Sequence, residues 1–222
     1  MALLRRRSKD QDHGGRPGAG GADPGDGRIL LVGLGNPGAQ YDGTPHNIGF
    51  RVAGELAERW QLGKARDKFK GRFVEGRVRP GGPRVAILTP LTYMNLSGKS
   101  AGPARGSLKV PLDRVVAIHD EFDLPFGEIR VKLGGGSAGH NGLKSLRDGF
   151  GSNDFWRVRV GVGRPDSTDP RDVSAYVLGK FRQSRNEVDT LVDDAVRETE
   201  RLVERLAGEG EHDITNPGDV NG

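Results

Sequence analysis

Three histidines, one aspartate and three asparagines are the side chains whose types suit proton transfer in concert. His46 stands in Thr44-Pro45-His46-Asn47, His119 in His119-Asp120-Glu121, and His140 in Gly139-His140-Asn141-Gly142. Asn36 lies in the glycine loop Gly33-Leu34-Gly35-Asn36-Pro37-Gly38, Asn95 in Tyr93-Met94-Asn95-Leu96, and Asn141 follows His140. A histidine can serve as a general base near neutral pH. A carboxylate such as Asp120 can fix its tautomer, and neutral amides can meet developing negative charge. Singly, the asparagines read as turn formers or a helix cap, and the histidines as satisfied hydrogen-bonders. Their recurrence in polar loops at the ends of different elements points to one assembled site.

Several other chemistries fall away. The chain has no cysteine, which removes disulfides, thiolate metal sites and a catalytic thiol. No G-x-S-x-G elbow signals a serine nucleophile. His119, Asp120, Glu121 and Asp123 cluster tightly enough to suggest metal ligands, but no H-x-x-x-H, H-x-H or H-E-x-x-H spacing accompanies them. Neighbours on an extended segment also face opposite ways. Water activated by histidine is the attacking group that remains, with no metal or cofactor expected. The glycine loop matches G-x-G-x-x-G, yet a dinucleotide site needs a helix opening at the third glycine. Here Ala39 to Pro45 continue as loop, and Glu55 and Glu58 fall within a helix rather than at the end of a second strand. A tight turn presenting Asn36 is the better reading.

The elements that must hold these residues follow from hydrophobic spacing. Residues 28–33 form a short apolar run typical of a buried strand. Ile48, Val52, Leu56 and Trp60 recur at helical spacing over 46–61. Strands are expected at 71–78, 84–89, 114–119, 128–133 and 157–163, and short helices at 142–149 and 170–179. A long amphipathic helix runs through Val188, Leu191, Ala195, Thr199, Leu202 and Leu206. Interleaved strands and helices predict a single α/β domain with a twisted mixed central sheet flanked by helices, over 28–207. Residues 1–27, rich in Gly, Asp, Pro and Arg, read as a disordered extension, and 208–222 as a frayed tail.

Charge is distributed unevenly. The chain of 222 residues carries a formal +4, divided as +1 over 1–27, +9 over 28–181 and −6 over 182–222. A basic body suits a polyanionic partner, with an acidic tail that need not touch it. Apolar runs are too short for a bilayer span, and Arg5-Arg6-Arg7 follows Leu3-Leu4 where a secretory signal has the reverse order. A soluble cytoplasmic protein without membrane contact is expected.

Five blocks, in this order, resemble the bacterial peptidyl-tRNA hydrolase family. They are Gly33–Gly38 with Tyr41 and His46-Asn47, then Met94-Asn95-Leu96-Ser97-Gly98, then His119-Asp120-Glu121 with Asp123-Leu124-Pro125. Gly134-Gly135-Gly136 with Gly139–Lys144 follows, and Arg159-Val160-Gly161-Val162-Gly163 completes the set. The resemblance covers about Arg28 to Phe181. It implies a monomeric enzyme that hydrolyses the ester joining a peptide to the terminal ribose of tRNA, without cofactor. It further implies that His46 is the base and Asp120 its orienting partner, while Asn36, Asn95 and Asn141 line the cleft and Tyr41 and Tyr93 form part of its wall. His140 and Asn141 would contact the acceptor end, and Arg130, Lys132 and Arg159 would hold tRNA phosphates. Arg130 and Lys132 share one strand face, which also suits an ordinary solvated strand.

The chain departs from the family pattern in three places, one of them being residues 1–27, which have no family counterpart. Pro45 stands where a basic residue usually precedes the histidine, and Gly102-Pro103 with Gly106 weakens the helix expected after Asn95, since proline inside a helix costs ~3 kcal/mol. Two rivals remain at this point: a non-catalytic RNA-binding module that keeps the cleft, and a nucleotide-dependent oxidoreductase built on the glycine loop.

Overall fold

A strand with apolar residues at every position must be covered on both faces, and β1 (Ile29–Gly33) is buried throughout. Its Ile29 and Leu31 enter one hydrophobic layer and its Leu30 and Val32 another. The computed structural model describes residues 27–165, 167 and 169–209. The extension expected over 1–27, apart from Gly27, lies outside the described residues, as does the tail beyond Glu209.

Beside β1 lie β4 (Arg84–Pro90) and β5 (Val115–Glu121), both parallel to it, with Leu31 level with Ile87 and Val116. β7 (Trp156–Gly161) runs parallel to β5. Antiparallel strands complete the sheet: β2 (Arg66–Lys68) and β3 (Gly71–Arg77) beyond β4, and β6 (Ile129–Leu133) beyond β7. The order is β2-β3-β4-β1-β5-β7-β6, the mixed α/β sheet expected from sequence. Helices α1 (Ile48–Arg59) and α5 (Arg185–Glu209) cover one face; α2 (Gly98–Leu108) and α3 (Asn141–Phe150) cover the other. Helix α4 (Pro170–Leu178) packs beside the turn Pro45–Asn47. No helix among the described residues is long and apolar enough to cross a membrane.

Several sequence expectations need correction. β2 has no counterpart among the expected strands: its three residues are Arg-Asp-Lys, all exposed, with no apolar alternation to reveal a strand. The first helix begins as a 3-10 turn over Pro45–Asn47, with Pro45 at a first-turn position where its missing N–H costs nothing, and becomes α-helical only at Ile48. Gly208 and Glu209, expected to fray, continue α5. The acidic segment after residue 181 is no detached tail. Its Asp189 and Asp193 meet Arg51 and Arg59 of α1, Glu200 accepts from the indole N–H of Trp60 just after that helix, and Glu204 meets Arg79. These four carboxylates are therefore set against partners in the body rather than free.

Helix α2 forms with Pro103 inside it, and its close crossing with α3 explains why. Gly98 and Gly102 lie against α3, and Gly98 N–H donates to Ser145 Oγ at 2.9 Å. A Cβ on Gly98 would sit 1.9 Å from the Ser145 carbonyl oxygen, and one on Gly102 2.7 Å from that of Gly149. The glycines that weaken an isolated helix thus permit a backbone-to-backbone crossing, and this packing overrides propensity. Gly49 plays the same part on the other face, where a Cβ would meet Ile118 O at 2.3 Å; its absence lets the start of α1 press onto the end of β5.

Two substitutions in one helix separate these effects. Gly98→Ala should lower stability by about 1–3 kcal/mol through overpacking against immovable backbone. Gly106→Ala, with nothing within 4 Å of its added Cβ, should raise stability by about 0.5–1 kcal/mol. Thermal or denaturant unfolding checks both signs.

Candidate active site

Parallel strands bring their carboxyl ends, and the loops leaving them, to one edge of the sheet. There a cleft of about 750 Å³ is lined by Asn36, His46, Tyr93, Met94, Asn95, Asp120, His140 and Asn141. Phe122, Arg164 and the α4 residues Val173, Val177 and Leu178 form its other wall.

Asp120 is the centre of the polar set. It lies on β5, 2% exposed, and takes hydrogen bonds from two rings. His46 Nδ1 lies 2.9 Å from Oδ1 and 3.1 Å from Oδ2, and His140 Nε2 lies 3.0 Å from Oδ1. The backbone fixes the tautomer of His140. Its Nδ1 caps α3 by accepting from the amides of Gly142 at 3.1 Å and Leu143 at 3.3 Å, so its proton is on Nε2, pointing at Asp120. Both nitrogens of His140 are thereby occupied. Its geometry is that of a residue holding Asp120, rather than the substrate contact expected from the resemblance. His46 donates from Nδ1, and its Nε2 has no partner among the described residues.

Electrostatics follow from this burial. For Asp120, burial opposes ionisation, but the attraction of His46 and His140 and their hydrogen bonds outweigh it and hold the carboxyl well below the usual range. For His46, burial works against the charged ring, and the charge and hydrogen bond of Asp120 prevail, lifting it above the ordinary histidine value. His119 behaves differently. Burial first, with His140 beside it, pushes it down to about 3. Its Nδ1 donates to the Asp120 carbonyl oxygen at 2.7 Å, and its ring stands edge-on to His140 at 5.0 Å. A neutral buried ring thus braces the other two residues.

Asn36 joins two loops. Its Oδ1 accepts the Met94 amide at 2.8 Å, and Asn47 embraces its backbone, accepting from the Asn36 N–H at 2.8 Å and donating to the Asn36 carbonyl at 2.9 Å. The Asn36 amide is therefore oriented by the fold, with its Nδ2 unused. Asn95 and Asn141, both exposed, stand at the starts of the segments leading into α2 and α3.

The remaining expectations divide. Tyr93 lines the cleft with 56% of its surface exposed. Tyr41 does not line it; it closes a 3-10 turn whose carbonyl accepts from Thr44 Oγ1. Arg130, Lys132 and Arg159 lie at the β6 edge, outside the cleft, with Arg130 level with Arg159. Arg130 pairs with Glu128, and Arg159 with Glu121 at 3.0 Å. Lys132 has its side chain alongside Gly135. The suspected His119–Asp123 ligand cluster is dispersed, since Glu121 serves Arg159 and Asp123 lies 3.4 Å from Arg164. Potential ligand atoms of His46, Asp120 and His140 do fall within 4.8 Å of one another, but those of His140 are committed to Asp120 and the α3 amides.

Sequence reasoning missed three contributors. Asn47 adjoins His46, and its double hydrogen bond needs the folded loop to be visible. Arg157, 3% exposed, donates to the carbonyls of Gly135 and Gly136 and so ties down the glycine loop before His140. The apolar wall from α4 gave no signal beyond amphipathic spacing.

Comparison with known proteins places this geometry. The family profile described as peptidyl-tRNA hydrolase matches residues 30–217. The peptidyl-tRNA hydrolase of Syntrophotalea carbinolica is 44% identical over 188 residues, covering 84% of this chain and 96% of that one. That of Geobacillus kaustophilus is 46% identical over 167 residues, covering 75% and 86%. Among solved structures, a variant of the Acinetobacter baumannii peptidyl-tRNA hydrolase superposes with a TM-score of 0.71 at 38% identity, covering 82% of this chain and 89% of that one. Likeness in sequence and in backbone thus converge on one assignment, and the chain belongs to the peptidyl-tRNA hydrolase family.

Proposed function

We propose that this chain hydrolyses the ester between the peptide and the terminal ribose of peptidyl-tRNA, with His46 as general base. The observation that carries this reading is the His46–Asp120 pair at 2.9 Å, which spends Nδ1 on a buried carboxylate and leaves Nε2 free in a histidine lining the cleft. In the first step Nε2 takes a proton from water as its oxygen attacks the ester carbonyl. Asp120 stabilises the resulting imidazolium without itself taking the proton. The negative charge on the carbonyl oxygen meets amide donors from Asn36, Asn95 and Asn141. The tetrahedral intermediate collapses, the ribose oxygen leaves and takes the proton from His46, and free tRNA and a peptide acid result. No step requires a metal or cofactor.

Tyr93 provides an exposed surface beside the scissile bond, and His140 acts by holding Asp120. On this reading Arg130 and Lys132 of β6 meet tRNA phosphates, while the charge of Arg159 on β7 is balanced by Glu121. The setting this reading implies is a cytoplasmic monomer that recycles prematurely released peptidyl-tRNA.

Two variants test the assignment in hydrolysis of N-acetyl-aminoacyl-tRNA. His46→Ala should lower the single-turnover rate by about 10²–10⁴, the usual worth of a general base; an unchanged rate removes His46 from the mechanism. Asp120→Asn should cost a similar factor and also move the pH profile. A base works only when neutral, so activity falls as pH drops through its pKa. Asp120 raises that pKa, which puts the wild-type acid limb above the ordinary histidine value. Removing the carboxylate should shift the limb to lower pH, and a limb that stays in place excludes Asp120 as its cause.

A further inference from the structure

The hairpin joining β2 to β3 is absent from the reaction described above, and it is built in a costly way. Lys68 pairs with Gly71, leaving Phe69 and Lys70 as a two-residue turn with φ of 56° at both positions. Turns of this kind favour Asn-Gly, because other L-residues avoid the left-handed region. Here two bulky residues adopt it together, a pattern that calls for a compensating use. Phe69 packs edge-on to Phe73 at 5.4 Å, and the Lys68 ammonium stands 4.6 Å from one ring centre and 5.5 Å from the other. The turn thus holds a lysine over aromatic faces.

Its charge and position point the same way. Residues 64–72 contain Lys64, Arg66, Lys68, Lys70 and Arg72 against Asp67 alone. Arg66 pairs with Glu75 and Arg72 with Asp67, while Lys64, Lys68 and Lys70 have no carboxylate partner among the described residues. Because β3 runs antiparallel to β4, the tip lies at the same edge of the sheet as the cleft. The Leu91 amide donates to the Lys70 carbonyl at 2.9 Å, and two residues later comes Tyr93, exposed in the cleft wall. The β6 cations stand at the opposite end of the strand order.

We propose that this hairpin, with Tyr93, is a second nucleic-acid surface that receives the phosphates of the single-stranded 3′ end of the tRNA. The inference rests on the proposed ester hydrolysis, which puts the terminal ribose in the cleft and so brings the preceding nucleotides past its rim. Unpaired cations beside an exposed aromatic ring form the usual surface for single-stranded nucleic acid. A peptide of variable sequence brings no constant charge to three unpaired lysines, whereas every tRNA brings phosphates.

The test uses fluorescence anisotropy with a labelled RNA acceptor-stem hairpin, either carrying a single-stranded 3′ overhang or blunt, titrated across salt. For the double variant Lys68→Gln/Lys70→Gln, affinity for the overhang RNA should fall about three- to tenfold. The slope of log affinity against log salt should become shallower by about 0.7 for each phosphate that the lysines no longer neutralise. Blunt RNA should bind both proteins equally, and Lys68→Arg/Lys70→Arg should restore overhang binding. Both lysines are exposed, and losing the Lys68 ammonium over Phe69 and Phe73 should lower the melting temperature by only a few degrees, leaving the fold intact. Unchanged overhang affinity and slope overturn the inference, as does an equal loss on blunt RNA. Binding is read without cleavage: overhang binding that depends on these lysines in a protein that cleaves no ester would uphold this surface and refute the proposed reaction.

Discussion

A carboxylate removed from water must recover in hydrogen bonds what it loses in hydration, and Asp120 does so with two ring N–H groups. That need fixes much of the molecule around it. One ring comes from the turn that enters α1, and it can reach the end of β5 only because Gly49 lets helix and strand backbones touch. The other ring caps α3. His140 accepts two helix amides on one side and donates to Asp120 on the other, so the N-terminal amides of α3, the ring and the carboxylate form one chain of hydrogen bonds. Losing any member would leave a buried charge or a buried amide unmatched, which makes the set more rigid than its count of bonds suggests.

The same constraint separates the three histidines by role. His46 keeps one nitrogen free, and Asp120 makes it more basic. His140 has none free and serves to anchor. His119, pressed down to about 3, stays neutral and spends its Nδ1 proton on the Asp120 backbone carbonyl rather than on the carboxylate. Identical side chains thus differ because of which face of β5 or which helix end each occupies. Strand alternation accounts for the contrast between His119 and Asp120, which are adjacent in sequence and face opposite layers.

The order of elements was legible because it depends on local signals. A doubly buried strand reads as an apolar run, and α5 as a long amphipathic repeat, and both lie where expected. His46, Asp120 and the asparagines were legible from residue type and from motif order. What stayed hidden depends on neighbours distant in sequence. The role of His140 required seeing both of its nitrogens engaged, and Tyr41 left the cleft because a local turn consumed it. Arg130 and Arg159 looked like free cations until Glu128 and Glu121 came beside them. β2 was invisible because an edge strand of charged residues has no buried face to impose a pattern, which is also how such an edge resists pairing with another chain. The acidic end misled for a related reason: summed charge says nothing of pairing, and α5 turns its carboxylates toward the arginines of α1.

The crossing of α2 and α3 shows why a helix that looks poor in isolation can still be the right one. Gly98 follows Asn95 by three residues, and Ser145 follows Asn141 by four, so where these helices touch sets the distance between two amides of the cleft. A larger residue at the crossing would separate them and so widen the cleft that both amides line. Gly98 and Gly102 are unfavourable for the helix alone and favourable for the spacing of the site. Pro103 adds little harm once that crossing fixes the helix, because the hydrogen bond it removes is on an exposed turn. Local stability has been given up where the position of Asn95 against Asn141 required it, which is the pattern expected of a structure whose backbone is arranged around its chemistry.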